Sequence, residues 1–283
     1  LGRTQATLVI LVCTNILNGI LNYIFVYSFH LNSEGVAYAS NIAESTQLLL
    51  ALYFIKPKLF DGASFAFAKT FFKGFLQLNI QLFIRTFFLL FAFAFFMSKG
   101  AQHSTALLSA NAILINLLMF ISNALDGFAI ASESLVGKAL ADKNIDRIKR
   151  VIKASGIWSF VFALGFSFVL WIANGPIINL LTSQADVLNI LDQLHYWLIF
   201  LPLAGFACYW LDGIFIGLAA GKAMRDSVLF ALFILFLPLQ NLLSQWPIHG
   251  LWLALFAFLI GRAFWQLAVL PKIMQHNANL LTK

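Results

Sequence analysis

The chain has 283 residues, is 61% hydrophobic and only 10% charged, and carries a formal net charge of +7 with a mean hydropathy of +0.88. A soluble domain is about a quarter charged, so a water-soluble globule is excluded. The apolar residues come in blocks of about twenty rather than in alternation, so a β-barrel is excluded too. What is left is an all-α polytopic membrane protein, and its basic surplus is read as membrane topology rather than as nucleic-acid binding.

Eight membrane-spanning helices are predicted, over about 6–27, 35–55, 75–97, 105–132, 154–173, 189–219, 227–246 and 250–270. The first carries Asn15, Asn18 and Asn22, and the second Ser40, Asn41 and Glu44. These are either interhelical hydrogen-bonding groups or part of an ion or ligand site. Between spans two and three, residues 56–74 interleave Lys69 and Lys73 with Phe65, Phe71 and Phe72, and Phe75 follows at the start of the next span. That mixture suits a segment at the inner interface, or a plain linker whose lysines snorkel. Short turns are predicted at 30–34, 98–102, 174–176 and 245–249.

Fifteen of the eighteen Lys and Arg residues fall in the connections of one side, leaving Lys99 opposite and Arg85 and Arg262 within spans. By the positive-inside rule the basic side and both ends of the chain are cytoplasmic. Cys13 and Cys208 both fall inside apolar segments and are read as small buried core residues, not as a disulfide or metal site.

The costly residues sit in the fourth and sixth spans. Asp126 lies twelve residues before Lys138, about 18 Å along a helix, and Asp212 ten residues before Lys222, about 15 Å. Both therefore fall near the midplane of a hydrocarbon core about 30 Å thick. Glu133 follows Asp126 by seven residues, on nearly the same face and closer to the inner interface. Asn116 and Asn123 share that flank of the span. Ionisable groups at such depth face a bundle interior or a water-filled path. They either exchange protons or sodium, or are neutralised by Arg85 or Arg262. Gly213, Gly217 and Gly221 repeat every fourth residue, a spacing of close helix packing. Pro202 and Pro238 are expected to kink or break their spans.

A parallel internal repeat pairs the first two spans with the last two. Gly2-Arg3 corresponds to Gly221-Lys222, Asn22 to Asn241 and Gly35 to Gly250, and the pairs end at Lys56-Pro57 and Pro271-Lys272. On this layout 1–55 are the last two spans of an N-terminal lobe, 56–74 the cytoplasmic inter-lobe linker and 75–283 a complete six-span C-terminal lobe. The chain is then expected to begin partway through a longer one of twelve spans.

The motifs Arg85-Thr-Phe-Phe, Ala110-Asn-Ala-Ile-Leu114, Asp126-Gly-Phe-Ala129 with Glu133 and Val136-Gly137, and Leu211-Asp-Gly-Ile-Phe-Ile-Gly217 with Met224-Arg225 resemble the MATE (multidrug and toxic compound extrusion) family. The resemblance is to its DNA-damage-inducible protein F (DinF) branch, and the eight spans are similar to spans five to twelve of that fold.

It implies a secondary active transporter of the bacterial inner membrane. Protons or sodium would enter by antiport while amphipathic, cationic drugs or toxic metabolites leave. Asn18 matches a family Asn of the N-terminal polar cluster, Ser40 a family Thr, and Asn22 stands where the family carries Asp. In the C-terminal lobe, Asp126, Asp212, Glu133 and Arg85 are the candidates for cation coupling. No cofactor beyond the coupling ion is implied, and a monomer among membrane lipids is expected. Alternatives are a flippase-like exporter of a lipid-linked metabolite, or a membrane fragment without turnover. No HExxH, nucleophile elbow, P-loop or dinucleotide fingerprint is present, so an enzyme is not supported.

Overall fold

The computed structural model describes residues 4–59 and 65–281, and all its regular structure there is helical. Packing divides the chain into two units, Leu1–Lys73 and Gly74–Lys283.

In the first unit α1 (Thr4–Tyr23) packs on α2 (Asn32–Leu59). Thr14 is buried in α1 because its hydroxyl donates back to the Ile10 carbonyl at 2.9 Å. A π-helical turn, Ile24–Ser28, closes α1, with Phe29 N–H donating to Ile24 O at 3.1 Å. The chain then reverses through His30 and Asn32, both at positive φ (52° and 30°). Gly35 lets α2 start tightly against this turn, since a Cβ there would lie 3.0 Å from the Cβ atoms of both Leu31 and Phe25.

The second unit holds the Gly74–His103 part of α3 (Phe65–His103), α4 (Thr105–Ala141), α5 (Ile145–Leu181), α6 (Ala185–Gly217), α7 (Gly221–Phe230), α8 (Leu237–Leu242) and α9 (His249–Leu281). A π-helical segment, Ala231–Phe236, joins α7 to α8 in a single span, and Pro238 follows within the first turn of α8, so the change of helical register coincides with the proline that cannot donate an N–H. Capping marks the starts that the sequence makes abrupt. Ser104 Oγ accepts from Leu107 N–H at 3.0 Å to open α4, and Asn144 Oδ1 accepts from Arg147 N–H at 2.9 Å to open α5.

α6 is the organising helix of this unit. It packs on α4, α5 and α9 and buries Leu198, Leu201, Leu211, Ile214 and Phe215 completely. Its approach to α4 is set by two glycines. A Cβ on Gly213 would run into the Ala129 carbonyl and lie 2.6 Å from Ala129 Cα, and one on Gly217 would lie 2.8 Å from Glu133 O. Small residues at such a crossing let two backbones meet, which is how helices gain packing energy where lipid is as apolar as the core. Outward, the unit shows Phe83, Trp158, Trp171 and Phe264, each more than 60% exposed, as a lipid-facing surface requires.

Seven helices are long and apolar enough to cross a membrane among the described residues. The stretch expected as the second span forms α2, 28 residues long, but Glu34, Ser40, Asn41, Glu44 and Gln47 leave it outside those seven. Several helices outrun their predicted ends. The turn expected at 98–102 is helical up to His103, with only Ser104 between α3 and α4. The turn expected at 174–176 is also helix, for α5 continues through Pro176 to Leu181. A proline removes one backbone bond, and near a span end water can satisfy the freed carbonyl. Pro202 likewise lies inside an unbroken α6. In the connection expected over 56–74, α2 reaches Leu59 and α3 starts at Phe65, while 60–64 lie outside the described residues. Cys208 is buried as expected, but Cys13 is exposed.

Candidate functional site

The site grows from Asp212, which α6 carries into the middle of the second unit. Its Oδ1 accepts from Gln266 Nε2 of α9 at 2.7 Å, and its Oδ2 accepts from Arg262 Nη2 of α9 at 2.8 Å. Arg85 Nη2 of α3 also donates to Oδ2. Three helices are thus pinned to one carboxylate. Arg262 and Gln266 fall on one face of α9 because they are four residues apart. Beside Arg262, the π segment seats Leu235 against Gly261, where any side chain would collide with it.

The Arg262 guanidinium is fully buried and lies 5.7 Å and 6.0 Å from the ring centres of Phe258 and Tyr209. Both distances suit cation–π attraction, which helps offset the cost of holding a cation out of water. Arg85 is more accessible, with 18% of its side chain exposed against 9% for Asp212.

Next to this cluster opens a cavity of about 370 Å³. Arg85, Ser122, Asp126, Glu133, Tyr209 and Asp212 provide its polar lining, with Phe93, Leu118, Met119, Ile130 and Ile216 among its apolar walls. Asp126 and Glu133 project from α4 two turns apart, about 10 Å along the axis. Both are half-buried, and neither makes a hydrogen bond or ion pair among the described residues. Two guanidiniums against three carboxylates leave one negative charge in excess when all are ionised.

The sequence-derived candidates therefore separate. Arg85, Asp126, Glu133 and Asp212 all line one cavity, with Asp212 held by both membrane-embedded arginines. Asn116 and Asn123 point outward and are exposed. In the first unit Asn22 Nδ2 donates to Asn18 Oδ1 at 2.6 Å, an i,i+4 pair within α1. Ser40 is half-buried on α2 and joins no hydrogen bond with that pair. Gln266 and Tyr209 were not singled out by the sequence. The available signal for Gln266 was an amide one turn beyond an intramembrane arginine.

The family model described as MatE matches residues 82–242. DNA damage-inducible protein F of Escherichia coli K12 is 36% identical over 269 residues, covering 91% of this chain and 57% of that protein. A probable multidrug resistance protein NorM of Bacillus cereus is 24% identical, covering 100% of this chain and 65% of that protein. Among solved structures, the Vibrio cholerae MATE transporter VcmN in its bent form superposes with a TM-score of 0.82 at 20% identity, covering 99% of this chain and 64% of that one. The chain spans less than two thirds of the length of each of these relatives.

Proposed function

The chain belongs to the MATE family, and on that premise we propose that it forms part of a cation-coupled antiporter that exports amphipathic, cationic compounds. The relatives of that family are transporters rather than enzymes. The observation that carries the coupling reading is the cavity of the second unit, where Asp126 and Glu133 stand half-buried and unpaired beside a fully engaged Asp212.

Asp126 is the coupling group in this reading. An unpaired carboxylate in a membrane span can bind a proton or sodium ion, and its charge is then cancelled. A cationic compound gains from the same negative charge, so ion and cargo compete for it, which is what exchange requires. Asp212 has a different part. To bind an ion it must first release Arg85, Arg262 or Gln266, so it acts as the anchor that fixes α3 and α9 around the cavity. Glu133, nearer the cytoplasmic end of α4, passes the ion between Asp126 and the inner face. Membrane residence in a bacterial inner membrane, with the basic connections cytoplasmic, completes the reading.

The test is efflux of a cationic dye from pump-deficient cells expressing the full-length protein. Efflux that collapses with a protonophore supports proton coupling, and efflux that follows the sodium gradient supports sodium coupling. Efflux indifferent to both overturns antiport.

A further inference from the structure

A second cavity lies in the same unit, away from the acidic one, at the cytoplasmic ends of α6, α7 and α9. It measures about 620 Å³, and its polar lining is Lys222, Asp226, Lys272, His276 and Asn277. Lys222 comes from the first turn of α7, while Lys272 and His276 are one turn apart on α9. Both lysines are exposed, and neither enters an ion pair among the described residues. Asp226, an acid in the lining, is already bound by Arg225, whose Nε and Nη2 donate to Oδ1 at 2.8 and 2.5 Å. Arg225 is held in turn by Gln81 at 2.7 Å. The two lysine charges are therefore uncompensated.

The floor of this groove has the opposite character. Trp265, Val269 and Ile273 recur every fourth residue and form an apolar stripe about 12 Å long on α9. Trp265 is fixed by stacking on Phe230, with ring centres 4.8 Å apart. The stripe runs from the basic end toward the centre of the span. At the basic end α7 opens after Ala220, which offers no side-chain cap, and Lys222 and Ala223 of its first turn line the groove.

We propose that this groove binds an anionic phospholipid of the inner leaflet, its phosphate between Lys222 and Lys272 and an acyl chain along Trp265, Val269 and Ile273. Basic pockets between spans on the cytoplasmic side suit such headgroups. The apolar stripe distinguishes a lipid from a free phosphate, for which it would have no use. The basic groove is separate from the transport cavity, sharing none of its lining residues.

The test is native mass spectrometry of the purified full-length protein, titrated with phosphatidylglycerol or with phosphatidylcholine of the same acyl chains. Lys222→Gln/Lys272→Gln is compared with the wild type, and Lys153→Gln, a cytoplasmic-side lysine outside the groove, serves as control. The expected result is one retained phosphatidylglycerol whose apparent affinity falls about tenfold or more in the double variant and not in the control. Phosphatidylcholine should bind both proteins alike, and millimolar inorganic phosphate should not displace the lipid. Equal retention of phosphatidylglycerol by wild type and double variant overturns the proposal, as does its full displacement by inorganic phosphate. Circular dichroism and melting in lipid-free detergent check that the variant is folded. Should it not be, Lys272→Gln alone is read by the same criteria.

Discussion

Arg262 donates to Asp212 across the α6–α9 interface at 2.8 Å, with its guanidinium wholly out of contact with solvent. Removing the carboxylate strands Arg262, whereas Asp212 without Arg262 would still keep Arg85 and Gln266. Asp212→Asn leaves Arg262 and Arg85 facing an uncharged amide, and breaking a buried pair from one side costs about 3–5 kcal/mol. The variant is expected to melt far below the wild type in detergent and to lose efflux for that reason. An unshifted melting temperature would mean that Asp212 is no anchor.

Asp126→Asn should behave in the opposite way. The substitution is isosteric, and Asp126 gives up no ion pair or hydrogen bond in the described residues. Stability should stay within about 0.5 kcal/mol of wild type, while cation-driven dye efflux falls to background. Glu133→Gln should keep the fold and slow transport without abolishing it. Wild-type efflux by Asp126→Asn would remove Asp126 from the coupling role and leave the cavity without its proposed ion carrier.

The α4–α6 crossing predicts a graded series. Gly213→Ala drives a methyl into the Ala129 carbonyl, and Gly217→Ala puts one 2.8 Å from Glu133 O and 3.0 Å from Val136 Cβ. Gly165 has open space around the same construction. Thermal stability should therefore fall most for Gly213→Ala, less for Gly217→Ala, and not at all for Gly165→Ala. Overpacking of this kind typically costs about 1–3 kcal/mol. Because Ala129 and Gly213 also line the cavity, Gly213→Ala should impair transport even where protein survives.

What could be read from the sequence follows from what is expensive in a membrane. Asp126, Glu133, Asp212, Arg85 and Arg262 are conspicuous because each charge in an apolar block demands an explanation. Which acid would meet which arginine was not legible, since the pairs join residues 127 and 50 positions apart. Gln266 and Tyr209 escaped because an amide or phenol raises no such alarm. Cys13 is exposed rather than buried for a related reason: lipid and protein core are equally apolar, so hydropathy does not separate exposed from packed positions in a span. The helices run on past the predicted span ends at 97 and 173 to His103 and Leu181, because polar residues near the interface resemble turns while remaining helical.

The turn between α4 and α5 offers a last prediction, about stability alone. α4 ends at Ala141 with Asp142 as C-cap, and Asn144 N–H donates back to Ala139 O at 2.9 Å. Lys143, between them, is held at φ 54°, a left-handed conformation that disfavours any residue with a Cβ and suits glycine after a helix. The lysine is exposed, so little packing is lost with its side chain. Lys143→Gly should relieve about 1 kcal/mol of strain and raise the melting temperature of the detergent-solubilised protein. Lys143→Val should lower it, because a β-branched residue is least tolerant of that conformation. Neither change touches the acidic cavity, so transport per folded molecule should match wild type in both. If Lys143→Gly melts lower than wild type, the strain assigned to this turn is wrong.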